Sequence, residues 1–157
     1  LALGVGEGDE STMRQPPRDP AEPVLGRRHW IGIGGYGLVF SGAVLGALFW
    51  ATEGLGLEGE AAVTVSFLTL AFAQLWHVFN MRQPESGVLV NEVTRNRYVW
   101  AAVGFCVLLL VGAVYIPGVA GVLEIQPPGA DAWTIIALMS LVPLAVGQGV
   151  LLGRRHS

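Results

Sequence analysis

The residues with the most chemical potential in this chain lie in one stretch, Ala61 to Met81. It contains no Asp, Glu, Lys or Arg, yet it holds Thr64, Ser66, Thr69, Gln74, His77 and Asn80 among apolar neighbours. The amide oxygen of Gln74 is a suitable ligand for a hard cation, although it brings no charge to compensate one. The imidazole of His77 can relay protons or bind a cation. At helical spacing Ser66, Thr69, His77 and Asn80 fall close to one face, with Gln74 at its flank. A polar stripe on an apolar helix should face protein or a wet cavity rather than lipid. Two readings of Gln74 stand at this point: an ion contact, or a hydrogen bond between helices that only packs a bundle. A hydrogen bond near a membrane interface is the expected role of His77. Asn80 is expected to cap or bond near the helix end.

The elements that must hold these groups follow from composition. Of 157 residues, 52% are hydrophobic and 13% charged. That charged share is about half of what a soluble domain uses to coat its surface. The charges gather in short stretches between long apolar runs, as in a chain whose solvent is mostly lipid. About 20 apolar residues cross the hydrocarbon core, and four such runs are present, at about 30–50, 61–81, 98–116 and 131–153. The expected fold is all-α: a polytopic membrane protein with four transmembrane helices in a bundle.

Each run has its own features. The first is flanked by Trp30 and Trp50, which suit the two interfaces. Its Gly35, Gly42 and Gly46 share a face, and small residues let another helix approach there. The third is the most uniformly apolar and ends at Pro117, and the Gly- and Pro-rich stretch from there to Ala130 is expected to be a loop. Pro143 interrupts the fourth and is expected to kink it. Ahead of the first run, residues 5–28 are polar, and Pro16, Pro17, Pro20 and Pro23 forbid a continuous helix. The domain division is therefore 1–28 and 29–157. Leu1 to Gly4 read as the tail of an earlier helix ending at a glycine, so the chain is expected to be the C-terminal part of something longer.

Topology follows from the arginines. All nine basic residues are Arg. Four spans put every one of them on one side, in residues 5–28, 82–97 and 154–157. The other side holds Glu53, Glu58, Glu60, Glu124 and Asp131 and no basic residue. The positive-inside rule then places both chain ends in the cytoplasm. The single cysteine, Cys106, lies in an apolar run and cannot form an internal disulfide. Nothing in the composition points to nucleic acid.

The chain resembles the C-terminal membrane region of P-type cation-transporting ATPases, the calcium-pump-like branch above all. Leu1 to Gly4, the acidic Asp9 and Glu10, the run Met13-Arg14-Gln15-Pro16-Pro17-Arg18 and Glu22-Pro23-Val24 are similar to the loop between the sixth and seventh membrane helices. Ile33 to Gly37 resembles the glycine-rich seventh helix, and Phe67 to Arg82 the eighth. Asn96 to Trp100 and Val114 to Gly118 resemble the two ends of the ninth, and the last span resembles the tenth. The resemblance implies a coupling loop at Asp9, Glu10, Met13, Pro16, Pro17 and Arg18, docked against the phosphorylation domain. It also implies a seventh helix packed on a moving fifth. Gln74 falls where two-site calcium pumps carry glutamate and one-site pumps carry Gln, which argues against a complete second calcium site.

The D-K-T-G-T and T-G-E-S-type motifs of the family are absent from this chain, as are the fourth and fifth helices that carry main ion ligands. By itself the chain is expected to have no ATPase activity and to bind no cofactor, while its parent would use ATP and magnesium. Its expected partners are the remaining helices and cytoplasmic domains of the parent, the lipid bilayer, and calcium or another cation. The expected location is a bacterial plasma membrane. A stand-alone four-helix accessory or interaction protein is the alternative. An independent small transporter or channel is a third reading, weakened because only one span offers a polar face and no acidic residue lies inside a span.

Overall fold

Among the described residues, four helices are long and apolar enough to cross a membrane: His29–Gly54, Gly59–Asn80, Arg97–Tyr115 and Ala130–Gly153. The structure is a computed structural model, and it describes residues 26–82, 87 and 91–155. Among these residues no strand is present, so the chain is an all-α membrane protein. Helix α1 spans Arg27–Phe49 and runs on through a π turn, Trp50–Gly54. In that turn the Thr52 hydroxyl donates to the carbonyls of Leu48 (3.1 Å) and Phe49 (3.2 Å). Gly56 and Gly59 then take positive φ angles of 63° and 53°. A side chain disfavours that conformation, so the two glycines make the short reversal into α2.

Helix α2 spans Gly59–His77 and tightens into a 3-10 turn at Val78–Asn80. The next two helices are started by asparagines. Asn91 Oδ1 accepts from the backbone N–H groups of Val93 and Thr94 and opens the short α3, Glu92–Arg95. Asn96 Oδ1 accepts from the Tyr98 N–H at 2.9 Å and opens α4, Arg97–Tyr115. Such side chains satisfy N–H groups that have no partner within the helix.

Pro117 ends α4 and also starts another helix. The connector expected to be an irregular loop contains α5, Pro117–Leu123, with Pro117 in its first turn. Proline is well suited there, because its missing N–H would have had no helical partner anyway. Helix α6 spans Ala130–Arg155 and includes Pro143. The helix is continuous through that proline.

Helices α2 and α6 form the central pair, α1 packs on both, and α4 leans on α2 and α5. The core between them is built from Ala47 and Ala51, Val65, Leu68 and Phe72, and Ala132, Ile135 and Ile136. Alanines on α1 let it lie close to the pair. Large apolar side chains point outward: Leu38 is 77% exposed and Leu108 72%. In water such a surface would be a strong aggregation liability, whereas in a bilayer it is a surface for lipid or further helices.

Candidate functional site

Of the polar residues of α2 and its 3-10 turn, His77 and Asn80 meet at the C-terminal end, where Asn80 contacts α6. Asn80 is buried. Its Nδ2 donates to the Pro143 carbonyl at 3.2 Å and lies 3.3 Å from His77 Nδ1. Its Oδ1 accepts from Gln148 Nε2 at 2.9 Å. The same Gln148 nitrogen donates to the Phe79 carbonyl at 3.0 Å, and Gln148 Oε1 accepts from Arg82 Nε at 3.0 Å. Arg82 is only 3% exposed. Through its Nε, Arg82 closes a polar clasp between α2 and α6.

Two further residues shape the clasp. Gly147 lies directly against Asn80. A β-carbon there would overlap the Asn80 amide and stand 2.8 Å from Tyr36 Oη. Tyr36 and Phe40 of α1 hold the other side of His77, with ring centroids 4.8 Å and 5.3 Å away at 68° and 83°. Three helices therefore converge on His77 and Asn80.

The remaining sequence-predicted residues separate. Thr69 is fully buried, and among the described residues its hydroxyl has no hydrogen-bond partner. Ser66 is half-buried and donates to its own helix, to the Ala62 carbonyl at 3.2 Å. Gln74 does not join the clasp. It is exposed and borders a shallow groove against α4, lined by Val99, Val103 and Cys106. Gly35 and Gly42 face open space, and only Gly46 approaches another helix, 3.7 Å from Met139 Sδ measured from its ideal Cβ position. Asp9, Glu10, Met13, Pro16, Pro17 and Arg18 lie outside the described residues. Among the described residues no group of three His, Cys, Asp or Glu side chains is placed to hold a metal ion.

Sequence reasoning missed Arg82, Gln148, Gly147 and Tyr36. Arg82 read as the first residue of a polar connector. Gln148 carried a usable signal, as a lone amide in an apolar span one turn beyond a proline. Thr64 was grouped with the α2 polar residues, but it acts at the opposite end of the bundle. There its hydroxyl donates to the Glu60 carbonyl at 2.7 Å and accepts from the Gln126 N–H at 3.0 Å. Gln126 Nε2 in turn donates to Glu60 Oε2 at 3.1 Å.

Comparison with known proteins gives a consistent result. The family model described as "Cation transporting ATPase, C-terminus" matches residues 1–152. A calcium-transporting ATPase of Bacillus subtilis is 28% identical over 155 residues, covering 99% of this chain and 17% of that protein. Calcium-transporting ATPase 1 of Bacillus cereus is 25% identical over 176 residues, covering 99% of this chain and 19% of that protein. A calcium-transporting ATPase of Listeria monocytogenes is 24% identical, covering 93% of this chain and 16% of that protein. The chain thus spans less than a fifth of the length of these relatives.

Proposed function

The chain belongs to the cation-transporting ATPase C-terminus family, and from that premise we propose that it forms the last four membrane helices of an ATP-driven cation pump, with calcium as the transported ion. The observation that carries this reading is the match of the family model to residues 1–152, nearly the whole chain. The names of the three relatives favour calcium over other cations. In this role the helices support the ion-carrying helices and couple them to a cytoplasmic phosphorylation domain, which supplies the ATP and magnesium chemistry. Both ends lie in the cytoplasm of a bacterial cell, because the arginines all fall at that end of the spans.

Two surfaces fit a larger assembly. Gly35 and Gly42 lie open on the outer side of α1, a face on which a further helix can pack closely. Gln74 is an exposed amide in the middle of a membrane helix, and in hydrocarbon such a group needs a polar partner. An ion or a neighbouring helix of the parent supplies one. The Asp9 to Arg18 segment is the coupling loop on this reading.

Two experiments test the proposal. The reading frame upstream of Leu1 should encode a D-K-T-G-T segment, and the full-length product in inverted vesicles should take up calcium when ATP is added. A frame without that segment, or uptake indifferent to ATP, sinks the pump reading. Gln74→Ala in the same product separates the two roles of the amide. A weakened calcium affinity for phosphorylation marks an ion contact, and an unchanged one leaves Gln74 a packing residue.

A further inference from the structure

The clasp has a fixed direction of hydrogen bonding. An arginine side chain has only donors, so the Gln148 atom facing Arg82 Nε is the amide oxygen. This turns Gln148 Nε2 toward Asn80 Oδ1 and the Phe79 carbonyl. Asn80 is oriented in turn, with Nδ2 toward the Pro143 carbonyl and His77. Turned over, Asn80 would set oxygen against the Pro143 carbonyl and NH2 against that of Gln148. His77 Nδ1 must therefore accept, which requires a neutral ring with its proton on Nε2.

On its other side His77 meets Tyr36 and Phe40 at 4.8 Å and 5.3 Å between ring centroids. Both contacts are edge-on, with 68° and 83° between the ring planes. Among the described residues, the titratable and charged groups that join this cluster are the Tyr36 phenol on α1 and, at the far end of the hydrogen-bond chain, Arg82. From α6 the clasp takes the Pro143 carbonyl, Gly147 and the Gln148 amide, none of which titrates.

We propose that His77 is a proton-operated release for the clasp between α2 and α6. Neutral, its Nδ1 lone pair helps hold the Asn80 amide and, through it, the Pro143–Gln148 segment of α6. When Nδ1 takes a proton from hydronium, an N–H donor faces the Asn80 NH2. Asn80 cannot answer by turning over, because Gln148 and Pro143 fix it. The imidazolium stays packed against Tyr36 and Phe40 of α1, while the contact to α6 loosens. The device lies wholly within these helices and goes beyond the pump reading, on which it does not depend.

The experiment uses the full-length gene product in nanodiscs. Nitrogen NMR on histidine-labelled protein at about pH 8 should show His77 with its proton on Nε2 and a bare Nδ1. Spin labels at the exposed positions Met81 and Val150 report the α2–α6 distance, and labels at Leu38 and Met81 report α1–α2. Lowering the pH to about 5 should cut the ratio of latched to released α2–α6 populations roughly tenfold, the effect of losing one buried acceptor, and leave α1–α2 unchanged. In His77→Asn an amide oxygen stands near the place of Nδ1 and does not titrate, so the latched distance should persist at both pH values. A proton on Nδ1 at about pH 8, a wild-type distance indifferent to pH, or a His77→Asn response like the wild type's would each overturn the proposal. The first two measurements need no change at His77, so the proposal stays decidable if His77→Asn fails to insert.

Discussion

The two ends of α2 are tied to α6 and its leading loop by side chains of similar type but in opposite surroundings. At the C-terminal end Asn80 and Arg82 are 8% and 3% exposed, and Gly147 leaves no room between the helices. At the N-terminal end Thr64 is buried, but the Gln126–Glu60 bond beside it lies in the open. An unmade hydrogen bond in a dry site leaves a group unsatisfied, whereas one at the surface is replaced by water. The same inventory of amides and hydroxyls therefore makes a tight, directional clasp at one end and a loose tether at the other.

The sharpest test of this contrast is Gly147→Ala. The added methyl overlaps the Asn80 amide, so the expected loss is about 1–3 kcal/mol, the usual cost of overpacking. Equilibrium unfolding in mixed detergent micelles with rising SDS measures it. Gly149→Ala is the paired control, since open space surrounds that position. It should be neutral or stabilise by up to about 1 kcal/mol through helix propensity. Equal effects at the two positions would break the picture of a clasp closed by Gly147.

Asn80→Ala comes next. It removes the partner of Gln148, Pro143 and His77 together. Hydrogen bonds between membrane helices are worth about 0.6 kcal/mol on average and up to about 1.7. A loss of about 1–2 kcal/mol is expected in the same unfolding measurement. Combining Asn80→Ala with Gln148→Ala should cost clearly less than the sum of the two single changes, because the residues share one network. Strict additivity would argue that the bonds are independent.

Thr64→Val at the opposite end should have the smaller effect, about 0.5–1.5 kcal/mol. It keeps the shape but leaves the Gln126 N–H without its acceptor. Gln126→Ala removes only the exposed bond to Glu60 and should stay within about 0.5 kcal/mol. If Gln126→Ala matched Asn80→Ala, the two ends would not differ in the way their burial indicates.

Much of this architecture was legible before any coordinates. The four apolar runs were visible because a membrane helix must be both long and uncharged, and few other structures need that. Asn80 was expected to bond near the helix end, and it does so, across to another helix. The α5 helix was not legible, since Gly118, Gly121 and Pro117 all read as loop residues. Its formation depends on Pro117 standing in the first turn, where proline favours a helix, and on packing against α4. Gly35, Gly42 and Gly46 were expected to share one packing face, but which of them meets a helix of this chain was not legible. Only Gly46 of the three meets α6.

The sequence by itself determined the number of spans, the gathering of the arginines outside the apolar runs and the family, because hydropathy, charge and ordered motifs are properties of the linear chain. Only the tertiary structure decided which polar groups meet. Arg82 and Asn80 find Gln148 across 66 and 68 residues of sequence, and Gln74 turns away from them toward the α4 groove. The physical reason is rotation. Spacing tells which residues share a face of a helix, but only the neighbouring helices decide where that face points and which distant side chain waits there.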